Sequence, residues 1–150
     1  NYVKEAGKYT PGGFLSSALS NRAFGPTNED ILWEIQCRVI SELAEKGPCV
    51  IVGRCADYIL AGRDNTINVF VYAPREVRVN RIMARHNLSE AEALKAISTS
   101  DKERGNHYFR YTDQKWGKAQ NYDVCINSGL MGIEKTAEML ADMAKIEVRA

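Results

Sequence analysis

The stretch that decides the fold is residues 48–54, which read Pro-Cys-Val-Ile-Val-Gly-Arg. Residues 49–53 are small or β-branched and contain no polar interruption, which predicts a strand buried on both faces of a parallel sheet. Parallel sheets bind their ligands in the crevice outside the carboxyl ends of the strands. Arg54 leaves the predicted strand at that end, so it is well placed to meet an anion.

Helices and further strands alternate around this stretch. Two more apolar strands are predicted, at 67–72 and 123–127. Four helices are predicted, at 28–46 after Thr27, at about 75–87 after Pro74, from the capping-box pair Ser89 and Glu92 through about 104, and at about 132–145. Residues 1–27 show no sustained period and are predicted to form loop with a short helical piece at 14–19. Strands that alternate with helices indicate parallel βαβ units and an α/β protein.

Composition excludes several classes of function. The 150 residues are 45% hydrophobic and 26% charged, with a net charge of +1, which favours one soluble domain and no bulk binding to nucleic acid or membrane. No stretch approaches the roughly 18 apolar residues that span a bilayer, and no signal-peptide pattern opens the chain, so a cytoplasmic protein is expected. The four cysteines are expected to be buried, reduced thiols rather than metal ligands, since only two histidines are available as partners.

Arginines carry the chemistry. Four lie on the helix after the second strand, and Arg78, Arg81 and Arg85 share one face because they are spaced by three and four residues. One interpretation is a solvated helix face with Glu76 and Glu90 as partial partners. The other is a cationic clamp over phosphoryl groups, to which guanidinium groups donate paired hydrogen bonds.

Two downstream features also have two interpretations each. Asp101 and Arg104 lie one turn apart near the end of a predicted helix. They can be interpreted as an ordinary ion pair within the helix or as part of a binding site. Residues 107–117 are aromatic and basic, which is typical of a loop packed against the core and also compatible with base stacking. None of these features is specific alone.

Their order along the chain resembles the cytidylate kinases, and more closely the cytidylate kinase-like proteins. The resemblance covers roughly residues 38–141. It rests on five segments that look typical of that group: 47–60 (Gly-Pro-Cys-Val-Ile-Val-Gly-Arg-Cys-Ala-Asp-Tyr-Ile-Leu), 68–73 (Asn-Val-Phe-Val-Tyr-Ala), Lys-Trp-Gly at 115–117, Asn-Tyr-Asp at 121–123 and Gly-Ile-Glu at 132–134.

The resemblance implies a three-layer P-loop kinase-like fold, with a parallel sheet flanked by helices. It implies transfer of the γ-phosphoryl group of ATP, carried with Mg²⁺, to a nucleoside monophosphate or similar small acceptor. Arg54 matches an arginine that holds the acceptor nucleotide near its phosphate, and Asp101 and Arg104 match a pair that contacts the acceptor. Arg78 and Arg81 fall at the entry to a mobile lid of about residues 85–113, and with Arg85 they belong to the arginines that close over the transferring phosphoryl group. Arg78, Arg81 and Arg104 are the catalytic residues that the resemblance implies. Residues 1–27 correspond to a loop-rich segment on the acceptor side of one kinase-like domain.

The chain also departs from the cytidylate kinase pattern. Those enzymes carry an acid just before and just after the Gly-Arg, where this chain has Val52 and Cys55, with Asp57 as the nearest substitute. Ile82 replaces the second arginine of a pair. No phosphate-binding loop is recognised, since residues 7–10 (Gly-Lys-Tyr-Thr) lack the required context. The loop and its strand are therefore expected upstream of residue 1, with no metal ligand in the chain itself.

Three hypotheses remain open from the sequence. The first is a nucleotide or small-molecule kinase of which this chain supplies the acceptor and lid portion. The second is a module that binds a nucleotide or phosphorylated ligand without transfer. The third is a structural partner, with a homodimer possible, that associates through the helix at 28–46.

Overall fold

The computed structural model describes residues 27–145. The elements in chain order are α1 (Asn28–Lys46), α2 (Ala56–Ile59), β1 (Val69–Tyr72), α3 (Arg75–His86), α4 (Glu90–Thr112), a 3₁₀ turn (Ala119–Asn121), β2 (Val124–Asn127) and α5 (Ser128–Met143). The helical piece predicted at 14–19 lies outside the described residues.

The chain divides into two compact units, and the division falls within α4. One unit comprises Asn1–Arg63 and His107–Lys115, and the other comprises Asp64–Asn106 and Trp116–Ala150. Each unit has a small apolar cluster of its own.

In the first unit, α1 has the boundaries that the sequence predicts. The Thr27 hydroxyl accepts from the Asp30 backbone N–H at 3.2 Å, and the Asp30 carboxylate accepts from the Thr27 N–H at 3.0 Å. This reciprocal capping box satisfies backbone donors that the first turn leaves unpaired. α1 ends at Gly47, and its Ile40 packs on Ala56 and Leu60 of the α2 region.

The prediction of a buried strand at 49–53 is wrong for the structure described. Residues 49–52 are hydrogen-bonded to no strand within residues 27–145, and Val50 and Val52 are 93% and 85% exposed. Only Ile51 packs against the cluster of Ile40, Ala56 and Leu60. A strand is defined by its ladder to a neighbour, so an apolar β-branched sequence without one stays irregular. The sheet of the described residues therefore has two strands rather than the three predicted.

In the second unit, β1 and β2 form a parallel pair, in register from Val69 opposite Val124 to Tyr72 opposite Asn127. The Asp123 carboxylate accepts from the Asn68 backbone N–H at 2.6 Å, which fixes where the pairing begins. α5 packs on both strands. The predicted α/β class, with a parallel sheet flanked by helices, is confirmed.

Helices α3 and α4 pack on each other through Val79, Ala93 and Ile97. The predicted capping box is present, because the Ser89 hydroxyl accepts from the Glu92 backbone N–H at 3.4 Å and the Glu92 carboxylate accepts from the Ser89 backbone N–H at 2.9 Å. α4 continues to Thr112, eight residues beyond the predicted end near 104. One glycine inside a helix costs only about 1 kcal/mol, and burial of aromatic side chains in the last turns outweighs that cost.

Helix α5 begins at Ser128, earlier than the predicted start near 132. The difference lies at Gly132, whose φ of 87° and ψ of 172° interrupt the helix after one turn. The Thr136 hydroxyl donates to the Gly132 carbonyl at 2.6 Å and holds the interruption in place. The predicted helix thus corresponds to the part of α5 that follows Gly132.

The cysteines are reduced but not uniformly buried. Cys55 is buried and Cys37 is half-buried, whereas Cys49 and Cys125 are exposed. Burial raises the pKa of the Cys37 thiol to about 11 and that of Cys55 to about 12, so both stay protonated near neutral pH. The prediction of four buried thiols is therefore corrected for two of them.

Candidate functional site

Asp101 joins two arginines from successive helices of the second unit. The Arg78 guanidinium donates to both of its carboxylate oxygens at 2.7 Å, and Arg104 donates to one of them at 3.2 Å. The hydrogen bonds from Arg78 hold the pKa of Asp101 below its ordinary value, and Asp101 in turn raises the pKa of Arg78. Two parallel bonds fix the direction of a carboxylate as well as its charge. The Asp101 carboxylate is therefore held in a fixed position. The sequence indicated Arg104 as its partner, and the structure adds Arg78, which makes the stronger contact.

Arg104 is held more loosely than Arg78. Its side chain is 57% exposed and makes a single bond to Asp101. Its guanidinium carbon lies 6.0 Å from the centre of the Trp116 ring, at the limit for a cation–π contact. Trp116 is supported in turn by the edge of Phe70, with ring centres 5.5 Å apart. Arg104 is thus oriented by two neighbours and retains unused donors that face solvent.

Arg81 is bound to the protein at the carboxyl ends of the strands. It donates to the Ser128 hydroxyl at 3.0 Å and to the Ser128 carbonyl at 2.8 Å, and that hydroxyl donates to the Tyr72 carbonyl at 3.1 Å. Arg85 is exposed and has no hydrogen-bond or ion-pair partner among residues 27–145. The three arginines of the predicted clamp thus have different surroundings. The partners of Arg78 and Arg81 are Asp101 and Ser128, and not the Glu76 and Glu90 of the alternative interpretation.

Arg54 belongs to the first unit, where it follows the irregular segment 49–52. Its side chain is exposed, and its guanidinium has no hydrogen-bond partner in the part of the chain that the structure describes. Its backbone has a φ of 57°, between Gly53 at 70° and Cys55 at 56°. A free guanidinium on an unusual turn is a good receptor for an anion.

Behind this turn, α2 is tied to the end of α4 within the same unit. The hydroxyl of Tyr108, which is 4% exposed, donates to the Asp57 carboxylate at 2.6 Å. Asp57 was the nearest substitute for the acids that flank the Gly-Arg in cytidylate kinases. In the structure its carboxylate binds this tyrosine.

An aromatic group lies on the last turns of α4. The Tyr111 ring stacks on Trp33 of α1 with centres 4.3 Å apart, and His107 contacts Tyr111 edge-on at 4.9 Å. Arg110 pairs with Glu29 beside them. These aromatic side chains of the segment 107–117 pack against the protein, which is one of its two interpretations.

His107 carries a polar atom with no partner. Its Nε2 is buried and has no hydrogen-bond partner within residues 27–145. Burial, followed by the charges of Arg54 and Arg110, lowers the pKa of His107 below its ordinary 6.5. The neutral imidazole is therefore the form that the folded protein favours.

We expect His107 to weaken the fold in mild acid. The unfolded state takes up a proton near pH 6.5 and the folded state only at lower pH, so the free energy of unfolding falls as pH drops below 6.5. A His107→Phe variant should lose less melting temperature than the wild type between pH 7.5 and 5.5. Replacement of the exposed His86 by Gln is the control and should leave the wild-type decline in place. An equal decline in wild type and His107→Phe would contradict the assignment.

The described residues offer no metal centre of their own. Within residues 27–145, no group of three or more His, Cys, Asp and Glu side chains lies close enough to hold an ion. In the same part of the chain, no helix combines the length and the apolar character that crossing a bilayer requires.

Parallel strands flanked by helices, with guanidinium groups gathered on a carboxylate, define an α/β protein of kinase-like fold. The model of the cytidylate kinase-like family matches residues 1–130, and the chain belongs to that family.

The chain is also similar to individual proteins, one of which is a cytidylate kinase. The cytidylate kinase of Ignicoccus hospitalis is 27% identical over 106 residues, which are 71% of this chain and 61% of that enzyme. The uronate isomerase of Corynebacterium glutamicum is 29% identical over 93 residues, which are 62% of this chain but 18% of that protein. The chain thus spans less than two thirds of either curated relative. The crystal structure of an uncharacterized protein from Eubacterium ventriosum superposes with a TM-score of 0.69 at 30% identity, over 83% of this chain and 69% of that one.

Sequence reasoning named the cations of the site but missed several of the groups that hold them. Gln36 bonds to the turn that carries Arg54, Tyr108 bonds to Asp57 in the helix after that turn, and Ser128 binds Arg81. Ser128 had a usable signal, because it directly follows a strand at the end where parallel sheets place polar groups. The sequence signal for Gln36 was weak, because Gln36 is only a polar residue between apolar neighbours on α1.

Proposed function

We propose that the complete protein transfers the γ-phosphoryl group of ATP to a nucleoside monophosphate or a closely similar small acceptor. Membership of the cytidylate kinase-like family supports a nucleotide kinase. The observation that carries the proposal is the anchored Arg78–Asp101–Arg104 group, in which one arginine immobilises the carboxylate and the other keeps donors free. Phosphoryl transfer needs little covalent help and mostly positioned positive charge.

The residues divide the work in this proposal. Arg54 binds the phosphate of the acceptor, and Asp101 and Arg104 contact the acceptor nucleotide. Arg78, Arg81 and Arg85 belong to the lid side, where positive charge near the transferring group lowers the barrier and closure excludes water. Because Arg78 and Arg81 are already bonded to protein groups, they act from fixed positions, whereas Arg85 is free to move.

ATP and Mg²⁺ enter the proposal together. Guanidinium groups fit phosphate oxygens, but the described carboxylates do not form a magnesium cage. Mg²⁺ is therefore proposed to arrive on the ATP phosphates, where it supplies further positive charge. The acceptor base is proposed to be read by groups other than an acid beside Arg54, since Val52 and Cys55 occupy those positions.

The experiment is calorimetric titration of the complete protein with CMP, followed by an assay for its release of ADP from Mg-ATP in the presence and absence of CMP. Arg104→Leu should weaken CMP binding about 10- to 100-fold, because hydrogen bonds to charged groups are worth about 1.5–3 kcal/mol. Lys102→Leu removes an exposed cation from the same helix and should bind like the wild type.

Each result has a distinct meaning. CMP-dependent ADP release supports the kinase. Binding without turnover by the complete protein rejects catalysis and favours a nucleotide-binding module. Absence of binding to CMP and to the other nucleoside monophosphates rejects both the kinase and the nucleotide-binding module, and leaves a structural role.

A further inference from the structure

The turn that carries Arg54 is conformationally costly. Gly53, Arg54 and Cys55 have successive φ values of 70°, 57° and 56°. Only glycine adopts this left-handed region readily, so the two residues after Gly53 are held there against their own preference. Strain of this kind persists only where surrounding contacts enforce it, and it concentrates at functional sites.

Local contacts hold one side of the turn. The Ala56 backbone N–H donates to the Gly53 carbonyl at 3.1 Å, and the Cys55 carbonyl accepts from Tyr58 and Ile59 in the first turn of α2. The Cys55 side chain is 4% exposed, so packing fixes it as well. These contacts bind the residues on either side of Arg54 but not Arg54 itself.

Arg54 is reached by one side chain from a distant element. The Gln36 amide nitrogen of α1 donates to the Arg54 carbonyl at 3.0 Å. α1 is a firm support at this point, because Ile40, one turn further on, is buried against Ala56 and Leu60. Since the Arg54 guanidinium has no partner within residues 27–145, only the backbone determines the direction in which the side chain leaves.

We propose that Gln36 is a positioning residue, which holds the left-handed turn so that Arg54 is presented to the phosphate of the acceptor. This inference rests on the role proposed above for Arg54. Gln36 itself touches no substrate. Its amide replaces the water that would otherwise solvate the Arg54 carbonyl in a relaxed turn, and so it selects the presented conformation.

The test compares Gln36→Leu and Gln36→Glu with Glu42→Gly, a change at an exposed position of the same helix. The first two remove the amide donor. The third weakens the same helix through its backbone entropy and does not touch the turn. Two properties are measured for each variant: the dissociation constant for CMP, and the strong intraresidue NOE between amide and α protons that marks positive φ at Arg54 and Cys55.

Both Gln36 variants should lose the two NOEs and bind CMP about fivefold more weakly, the factor expected from one neutral hydrogen bond. Glu42→Gly should keep the NOEs and the wild-type affinity in spite of its lower melting temperature. NOEs that persist in Gln36→Leu would show that Gln36 does not hold the turn, whatever the affinity. Lost NOEs with unchanged affinity would overturn the positioning role. If the wild type binds no CMP, the acceptor site itself fails, and the NOEs still decide separately whether Gln36 holds the turn.

Discussion

Replacement of Gly129 by alanine is expected to lower the free energy of unfolding by about 2–3 kcal/mol. A Cβ at this position would lie 2.6 Å from Pro74 Cδ and 3.1 Å from Asn127 Oδ1. The proline ring cannot rotate away, so either the loop after β1 or the start of α5 has to move. That movement would also disturb Ser128, the residue to which Arg81 is bonded.

Gly105→Ala is the matched control, and it should change the free energy of unfolding in the opposite direction. Gly105 lies inside α4, and an added Cβ would meet nothing within 4 Å. Alanine should therefore stabilise the helix by up to about 1 kcal/mol. Chemical denaturation of the two variants beside the wild type measures both effects. Equal effects of the two substitutions would show that the close approach of α5 to Pro74 does not limit the fold.

Arg54→Ala is expected to weaken CMP binding by about a hundredfold, since the phosphate would lose at least one charged hydrogen-bond donor, worth up to about 3 kcal/mol. Stability should change little through lost contacts, because the guanidinium is exposed and supports no core. Calorimetric titration with CMP measures the first effect. An unchanged dissociation constant would remove Arg54 from the site.

Arg54→Gly separates the charge from the backbone. Glycine removes the same guanidinium but adopts a φ of 57° without the penalty that a Cβ brings. The glycine variant should bind CMP as poorly as the alanine variant yet unfold with a free energy about 1–2 kcal/mol higher. Equal stability of the two variants would mean that the turn is not strained.

The elements that local chemistry determines were predictable from the sequence. The capping residues placed the starts of α1 and α4, and the Gly-Pro after α1 placed its end. β1 and β2 were found because each is apolar and bounded by turn residues. Both also have a strand partner inside the described chain.

What could not be predicted depends on partners distant in the sequence. The segment 49–52 has strand composition, but composition does not say whether a neighbouring strand is there to pair with it. Bonding of Arg78 to Asp101, 23 residues away, and of Arg81 to Ser128, 47 residues away, depends on how helices pack. The arginine pattern therefore named the cations as candidates but did not indicate the groups that hold them.

The irregular segment 49–52 has a consequence for handling the protein in solution. It presents two valines and a row of backbone groups that are paired with no strand in the described part of the chain, and it carries no charge. Natural proteins guard such edges with charged residues or proline, because an open edge recruits strands from other molecules. Here Pro48 and the charged Lys46 and Arg54 flank the segment, but none of them lies within it. At high concentration, this segment is where colloidal instability of the chain is expected to begin, as molecules add strand to strand.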